Sequence, residues 1–549
     1  MNKTVLLILT FVFAGLSMLQ AQNVIDVTDS DITGDTYWTA DNEYLMDGSV
    51  YVEDGETLTI EAGTVIRGKQ TPTTGDQETA LIVARGGKIF AEGTAENPII
   101  FTADIDDVTD PEDLTFEDRG LWGGVIILGR STNNIGGGTN FIEGLPPTDP
   151  RNQYGGDDEN DNSGVFRYVS IRHGGALFGT DNEINGLTMG SVGRGTTIEY
   201  VEVFANQDDG FEWFGGTVDT RYLVAAFVGD DNFDYDEGFR GKGQFWFGIH
   251  GDDVAGSGGE HDGGTDPETG QPYAIPVIYN ATYIGSGANS GVTSNNFSLN
   301  LRDNAGGKYY NSIFTDFAGV GVAIEDLGSG EDSRSRMDNG DLELANNIFF
   351  GFGNVNGETT ADATDAFLQQ YAADAFETDN FYSDPQITSI SRGDASSLDP
   401  RPASGSPAYT ESNSVQPRDN FFYRANFIGA FNEANTWYDG WSFLSESGLA
   451  VSIEEPRTQT LPVDIALDQN YPNPFNPSTQ ISFTLPSSEN VTLEIFEITG
   501  RKVATLINGV QPAGTNTVRF DASNLSSGMY IYRLQSSSIS LTRKMMLIK

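Results

Sequence analysis

Three stretches of the chain carry paired aspartates at a constant spacing: Asp208-Asp209, Asp230-Asp231 and Asp252-Asp253. They fall in three 22-residue blocks, 199–220, 221–242 and 243–264, in which Val201, Leu223 and Phe245 align, as do Val203, Ala225 and Phe247. A period in the twenties with alternating apolar residues denotes stacked coils, one per repeat. Helical repeats would space their apolar residues by three and four, and that pattern is missing. Stacking sets equivalent side chains about 4.8 Å apart. Two carboxylates at that distance repel by about 1 kcal/mol in water and about 3–4 kcal/mol at an effective dielectric of 20. Solvent, protonation or a cation must offset this. Ca²⁺ takes oxygens at about 2.3–2.6 Å and can bridge carboxylates across one step. The six aspartates, with Asp234, Asp236 and Glu212 beside them, therefore form a candidate Ca²⁺ site. A solvated acidic turn is the plain alternative. The run Asp157-Asp158-Glu159-Asn160-Asp161 is a second acidic cluster, set in a Gly-rich loop.

An acidic Ca²⁺ site with a neighbouring base and a groove for a sugar chain would serve a polysaccharide lyase. Arg221, Arg240 and Lys242 lie in the same repeats and are the candidate bases, although on so acidic a body local charge balance accounts for them better. His250 and His261 share a segment with Asp252, Asp253, Glu260 and Asp262, which admits a transition-metal site. The remaining histidine is His173. Trp213, Tyr235 and Trp246 could stack on sugars, but alternation sends about half of such residues to the core. No nucleophile elbow or P-loop is present. The absence of cysteine excludes disulfides, thiol catalysis and a lipoprotein anchor.

The elements that position these residues read as short strands between glycines. Residues 49–66 and 80–103 alternate apolar and polar with period two, and Gly120–Leu128 is an apolar strand between glycines. Asn280, Asn311 and Asn347 each precede an apolar strand, which suggests a column of stacked amides. Residues 355–378 suggest a short helix beside the stack, 399–410 a last coil, and 421–431 with 437–443 a terminal cap. The fold expected is all-β, with a coil of about 22 residues. The net charge is −49; the first 21 residues and residues 462–549 each contribute +1, so the middle carries −51. Such a body disfavours nucleic acid and anionic membranes and favours divalent cations. Lys3 followed by the apolar run Val5–Leu19 reads as an export signal, with Ala21 the last residue before cleavage. No other long apolar segment exists, so no transmembrane span is expected in the mature chain.

Residues 470–479, NYPNPFNPST, closely resemble the opening of type A sorting domains of the type IX secretion system. Pro472, Asn473, Pro474, Phe475, Gly500, Gly528, Tyr530, Lys544 and Lys549 carry the resemblance in order, down to the basic–apolar–basic terminus. Physically the segment reads as a small β-sandwich. The resemblance implies passage across a Gram-negative outer membrane by the type IX machinery, then removal of the domain and release or attachment to surface lipopolysaccharide. Gly93–Phe101 is similar to a coil connection of right-handed parallel β-helices. The Trp122 strand, Asp208–Trp213 and Leu301–Gly307 resemble exported proteins of that fold, a group that implies no reaction. The organisation expected is a signal peptide (1–21), a right-handed parallel β-helix with cap (22–450), a linker (451–464) and a β-sandwich sorting domain (465–549). The function expected is adhesion or glycan binding at the cell surface or in secreted form, with Ca²⁺ stabilising the fold. A Ca²⁺-assisted polysaccharide lyase and a structural surface-layer component are the alternatives.

Overall fold

The computed structural model describes residues 23–177, 184–264, 267–353, 363–393, 397–410 and 415–450, and most of 465–548. The signal segment with Ala21, the linker, Pro472 and Lys549 lie outside the described residues. The chain divides into two compact units, Met1–Ser452 and Ile453–Lys549.

The first unit is a parallel β-helix with three sheets. One is nine-stranded and runs from Ser49–Val52 through Phe211–Phe214 and Phe233–Asp236 to Val320–Ile324. The other two are joined by long strands, among them Thr197–Phe204, Thr220–Ala226 and Lys242–Ile249, which bend in the middle and pair on both sides of the bend. Tyr168, Tyr200, Tyr222, Phe245, Asn280, Asn311 and Asn346 occupy that bend in successive coils, with φ between 50 and 59°. Non-glycine residues pay about 1–3 kcal/mol each for such a conformation. Stacking offsets it: Tyr168, Tyr200, Tyr222 and Phe245 lie ring on ring at 4.4, 4.3 and 5.0 Å. In the later coils the Asn346 amide donates to Asn311 Oδ1 at 2.7 Å.

The repeat is 22 residues where Asp231 meets Asp209 and Arg221 meets Glu199. Val201 pairs with Leu223 and Val203 with Ala225, as the sequence alignment expects. The next step does not follow it. Leu223 pairs with Trp246 and Ala225 with Gly248, because the turn between Asp236 and Gly243 holds one extra residue. Phe245 therefore sits at the bend and Phe247 faces outward. In the later coils Tyr310 pairs with Ala345, so Asn311 aligns with Asn346 rather than Asn347, and Asn347 instead accepts the Ser312 N–H at 2.9 Å. Trp213, Tyr235 and Trp246 are fully buried in the core, so none is a sugar platform. Trp213 stacks on Trp246 at 5.0 Å.

The end of the stack also differs from expectation. Asp399–Pro402 pairs antiparallel with Ile387–Ser389 and is not a coil. The last coil strands are Leu342–Ala345 and Ile348–Phe352, and the helices Ala363–Ala366 and Gln370–Phe376 close the core through Ala366, Phe367 and Phe376. Residues 415–450 are a strap along the flank rather than a terminal cap. Tyr423 exchanges two 2.7 Å hydrogen bonds with the Gln244 side chain, and Ala430 N–H donates to Thr282 Oγ1 at 2.8 Å. Phe431, Tyr438, Trp441 and Phe443 cover Phe204, Val224, Phe247 and Ile249, the outward apolar residues of the bent strands. Each such side chain removed from water contributes about 1.5–3 kcal/mol.

The strap is pinned by Glu202, which is fully buried. Its carboxylate accepts the Phe443 N–H at 2.6 Å, the Leu444 N–H at 2.9 Å and the Ser170 hydroxyl at 2.6 Å. Arg172, 1% exposed, donates to the same Ser170 and pairs with Glu446 at 3.1 Å. Removing one partner of a buried charged network typically costs about 3–5 kcal/mol, whereas an exposed pair is worth under about 1 kcal/mol. Glu202→Ala is expected to lower unfolding stability by about 3–5 kcal/mol and to open the strap to limited proteolysis; Glu446→Ala removes a carboxylate that is 41% exposed and leaves Arg172 its bond to Ser170 and the charge of Glu202, so it should change either by less. Equal effects in denaturant melts would refute the pin.

The second unit is an antiparallel sandwich. Ala466–Leu467, Ser478–Leu485 and Gly514–Asp521 form one sheet; Lys502–Gln511, Glu489–Glu497, Gly528–Gln535 and Ser540–Leu547 form the other. Phe475 is buried between them, and its backbone pairs with the terminus through Met546 O at 2.9 Å and Ile548 N at 3.0 Å. Asn473 Oδ1 accepts the Met546 N–H at 2.8 Å. Tyr530 buries its ring and donates to Ser526 O at 2.8 Å. Gly500 makes a left-handed turn at φ 87°. Pro474 and Lys544 are exposed.

Candidate cation site on the acidic face

In the nine-stranded sheet alternate residues point outward, and in three consecutive coils five of the six outward positions are acids, Phe214 being the sixth. Glu212 pairs with Asp234 and Phe214 with Asp236. Tyr235 pairs with His261, so Asp234 and Asp236 lie beside Glu260 and Asp262. The next coil presents Asn300 and Arg302 at those places. Arg302 bonds Asp262 at 2.6 Å and also pairs with Glu260.

At the strand entrances two further aspartates join. Asp209 and Asp231 are 7% and 5% exposed. Asp209 Oδ1 accepts the Asp231 N–H at 2.8 Å, and Asp231 Oδ1 accepts the Ser257 N–H. One carboxylate oxygen each from Asp209, Asp231 and Asp234 lie within 4.8 Å of one another, and so do those of Asp208, Asp209 and Asp230. Oxygens about 2.4 Å from a common ion are at most about 4.8 Å apart, so either trio suits Ca²⁺ with little movement. Asp234 Oδ1 is buried with no hydrogen-bond partner, which marks an unmet need for a positive charge.

The aspartate column stops after two coils. Ser257, not Asp253, follows Asp231, because residues between Ile249 and Glu260 lengthen the coil to a step of 26. Asp253 instead pairs with Arg119 at 2.6 Å. Asp252 is exposed at the edge of a separate cavity. The three candidate bases are likewise engaged elsewhere. Arg221 binds Glu199 with Nε at 3.0 Å and packs over Phe421 and Tyr423 of the strap. Arg240 pairs with Glu159 at 2.9 Å and donates to Thr132 at 2.7 Å. Lys242 pairs with Asp419 at 3.0 Å and Asp219 at 3.5 Å. Glu159 of the second acidic run is thereby held by Arg240, and by Arg194 at 3.3 Å.

The histidines form no shared metal site. His250 Nε2 donates to Asp230 O at 2.9 Å while Nδ1 accepts from Asn295 at 3.1 Å. His261 stacks on Tyr235 at 3.9 Å, bonds Glu260 O through Nδ1 and Tyr309 OH through Nε2 at 2.7 Å. Burial pushes His250 down to about 4 and His261 to about 3, so both stay neutral. Buried His173 donates to Asp118 O at 2.6 Å.

A family model described as a pectate-lyase like beta helix domain matches residues 30–392. The chain belongs to this β-helix family. A second model, a secretion system C-terminal sorting domain, matches residues 469–549 and marks the chain for export by type IX secretion to the cell surface or beyond it. No curated protein and no solved structure matches the chain. Among the described residues no helix is long and apolar enough to cross a membrane.

Two parts of the acidic face of this β-helix domain escaped the sequence reading. Glu260 and Asp262 were grouped with the histidines, although alternation around His261 turns them outward. Glu268, Asp303 and Glu325 gather a third trio of oxygens within 4.8 Å. Asp303 and Glu325 are 22 residues apart and joined by a 2.9 Å bond from Asp303 N–H, so the period was a usable signal for two of the three.

The electrostatics of the face are uniform in direction. Burial raises Asp209, with Asp231 and Asp208 adding to it; burial and then Asp230 raise Asp231; burial and then Asp262 raise Asp234; burial and then Glu143 raise Glu212. Burial, then Glu237 and Asp262, push Asp236 up to about 7. A carboxyl raised in the folded state favours folding below the unfolded value of 3.8 and loses that contribution as pH rises through the folded value. For Asp236 the difference is on the order of 4 kcal/mol once it is fully ionised. In EDTA, the melting temperature is therefore expected to fall steadily as pH rises from about 4 to about 8. A flat profile in differential scanning calorimetry would contradict the cluster.

Proposed function

We propose that this exported β-helix is a surface or secreted binding protein for glycans, acting in adhesion, with Ca²⁺ holding its acidic face. The observation that carries the calcium part is the trio of buried Asp209 and Asp231 with half-buried Asp234, whose oxygens converge with an unpartnered Asp234 Oδ1. Asp208 and Asp230 extend it, and Asp236, Glu260 and Asp262 add negative potential on the same face. The bound ion replaces charge repulsion across one coil step with oxygen coordination.

Binding is favoured over lyase chemistry by where the cations sit. Arg221, Arg240 and Lys242 each face carboxylates away from the trio. Arg302 is the cation on the acidic face. Burial opposes its charge, but Asp262 and Glu260 outweigh burial and hold it protonated, so it takes up no proton. The sorting domain brings the β-helix outside the cell, and removal of that domain with attachment to lipopolysaccharide would display it there.

The test is calorimetric. Ca²⁺ at about 100 times its dissociation constant stabilises by about 2.7 kcal/mol, so the full chain should melt at a clearly higher temperature in Ca²⁺ than in EDTA. Asp209→Asn/Asp231→Asn should lose that difference while melting higher than the native chain in EDTA, because two repelling charges are gone. Identical melting of the native chain in Ca²⁺ and EDTA would overturn the calcium reading.

A further inference from the structure

We propose that a cavity enclosed by Phe116, the corner at Asp252, residues 286–291 and residues 390–393 is a subsite for one neutral pyranose ring; this rests on the glycan-binding reading above and gives it a location. The cavity measures about 570 Å³ and is lined by Phe116, Asp252, Ser286, Ser290, Ile390 and Arg392. That volume falls within the usual range for small-ligand sites, about 300–1,000 Å³.

Its chemistry is asymmetric. On the apolar side stand Phe116 and Ile390. Phe116 is half-buried and backed by Phe227 at 4.9 Å, so its ring is fixed in place. A sugar's C–H face packs against such a ring. On the polar side Asp252 offers an exposed carboxylate that forms no ion pair among the described residues. Its neighbour Asp253 has taken Arg119, leaving Asp252 as the acceptor at the cavity. Adjacent sugar hydroxyls can donate to its two oxygens.

Donors face it. Arg392 spends Nε on His250 O and Gly285 O, and Nη2 on Gly285 O and Asp316, which leaves Nη1 for a ligand. Ser290 Oγ accepts the Val292 N–H at 3.1 Å, so its own proton is available. Arg392 has its charge balanced by Asp316 at 2.6 Å, and the surrounding body is strongly acidic. An anionic sugar would meet Asp252 with no uncompensated cation, and this selects a neutral ring.

The subsite is separate from the carboxylate trios, since Asp252 belongs to none of the three groups of converging carboxylates. The probes are arrayed neutral hexose oligosaccharides and uronate-bearing oligosaccharides, applied to the full chain, followed by titration calorimetry on the best neutral binder. The native chain is expected to prefer a neutral oligosaccharide, and Asp252→Ala and Phe116→Ala each to weaken it by about tenfold or more, in line with a lost charge-assisted hydrogen bond. Melting temperature reports folding, and if Phe116→Ala lowers it, Asp252→Ala decides. Neutral binding that both variants retain would overturn the subsite while leaving glycan binding intact. Preference for uronates would overturn the neutral ring. No binding to any probe would overturn the subsite and the glycan reading together.

Discussion

Stacking sets every side chain against its counterpart one coil away, and this single constraint governs the rest of the structure. Like must tolerate like at about 4.8 Å. Apolar columns satisfy it by burial, and aromatic columns by offset stacking, as in Phe211 on Phe233 at 5.5 Å and Tyr200 on Tyr222 at 4.3 Å. Amides satisfy it by hydrogen bonding along the column, as Asn346 does with Asn311. Carboxylates alone cannot. Wherever the chain puts acids in register, it must supply a cation, trap a proton or leave the charges to water. The molecule uses the first remedy repeatedly with arginine: Arg221 beside Glu199, Arg302 beside Asp262, Arg392 beside Asp316. Among the described residues Asp209, Asp231 and Asp234 form no ion pair with arginine, the nearest remedy being Arg302, which is held by Asp262 and Glu260.

The same constraint explains why the flank needs the strap. A strand in a parallel sheet that is apolar on both faces must be covered on both. Phe204, Val224 and Phe247 point away from the central core and would lie bare without Trp441, Phe443 and Tyr438. Covering them demands a chain segment that runs across coils, against the direction of the strands. Such a segment finds few backbone partners in a sheet already paired, so side chains supply them: Gln244, Thr282 and the buried Glu202. Arg172 offsets the charge of Glu202, and the two are buried together with Ser170.

Much of this was legible in the sequence. The 22-residue repeat, the paired aspartates and the sorting motif each rest on local patterns, and periodicity reports local pattern well. The failures share one cause. One extra residue after Asp236 displaced the third coil, and the longer segment before Glu260 removed Asp252 and Asp253 from the column. A repeat alignment treats spacing as constant, whereas a β-helix absorbs insertions at its corners without disturbing its sheets. The strap was unreadable for a different reason. Its contacts span up to 274 residues, and nothing in the Phe421–Phe443 composition says which face it covers. The outward apolar residues were nevertheless in view: Tyr222-Leu223-Val224-Ala225-Ala226-Phe227-Val228 is apolar throughout, and an uninterrupted run is the mark of burial on both faces.

The displacement of Asp252 and Asp253 links these themes to function. Had the coil kept its 22-residue step, both would have added two more repelling charges to the cation trio. The longer corner instead sends Asp253 to Arg119 and Asp252 to a cavity lined by Phe116, Ile390 and Arg392. His250 ties the two regions together: its ring donates to the carbonyl of Asp230, which belongs to the acidic cluster, and its own carbonyl receives Arg392, which lines the cavity. One rigid, neutral residue thus fixes the distance between a group of acids and a group of sugar-compatible donors and acceptors. A solenoid gains function in this way. The sheets keep the register, and the corners, free to vary in length, decide which side chains meet.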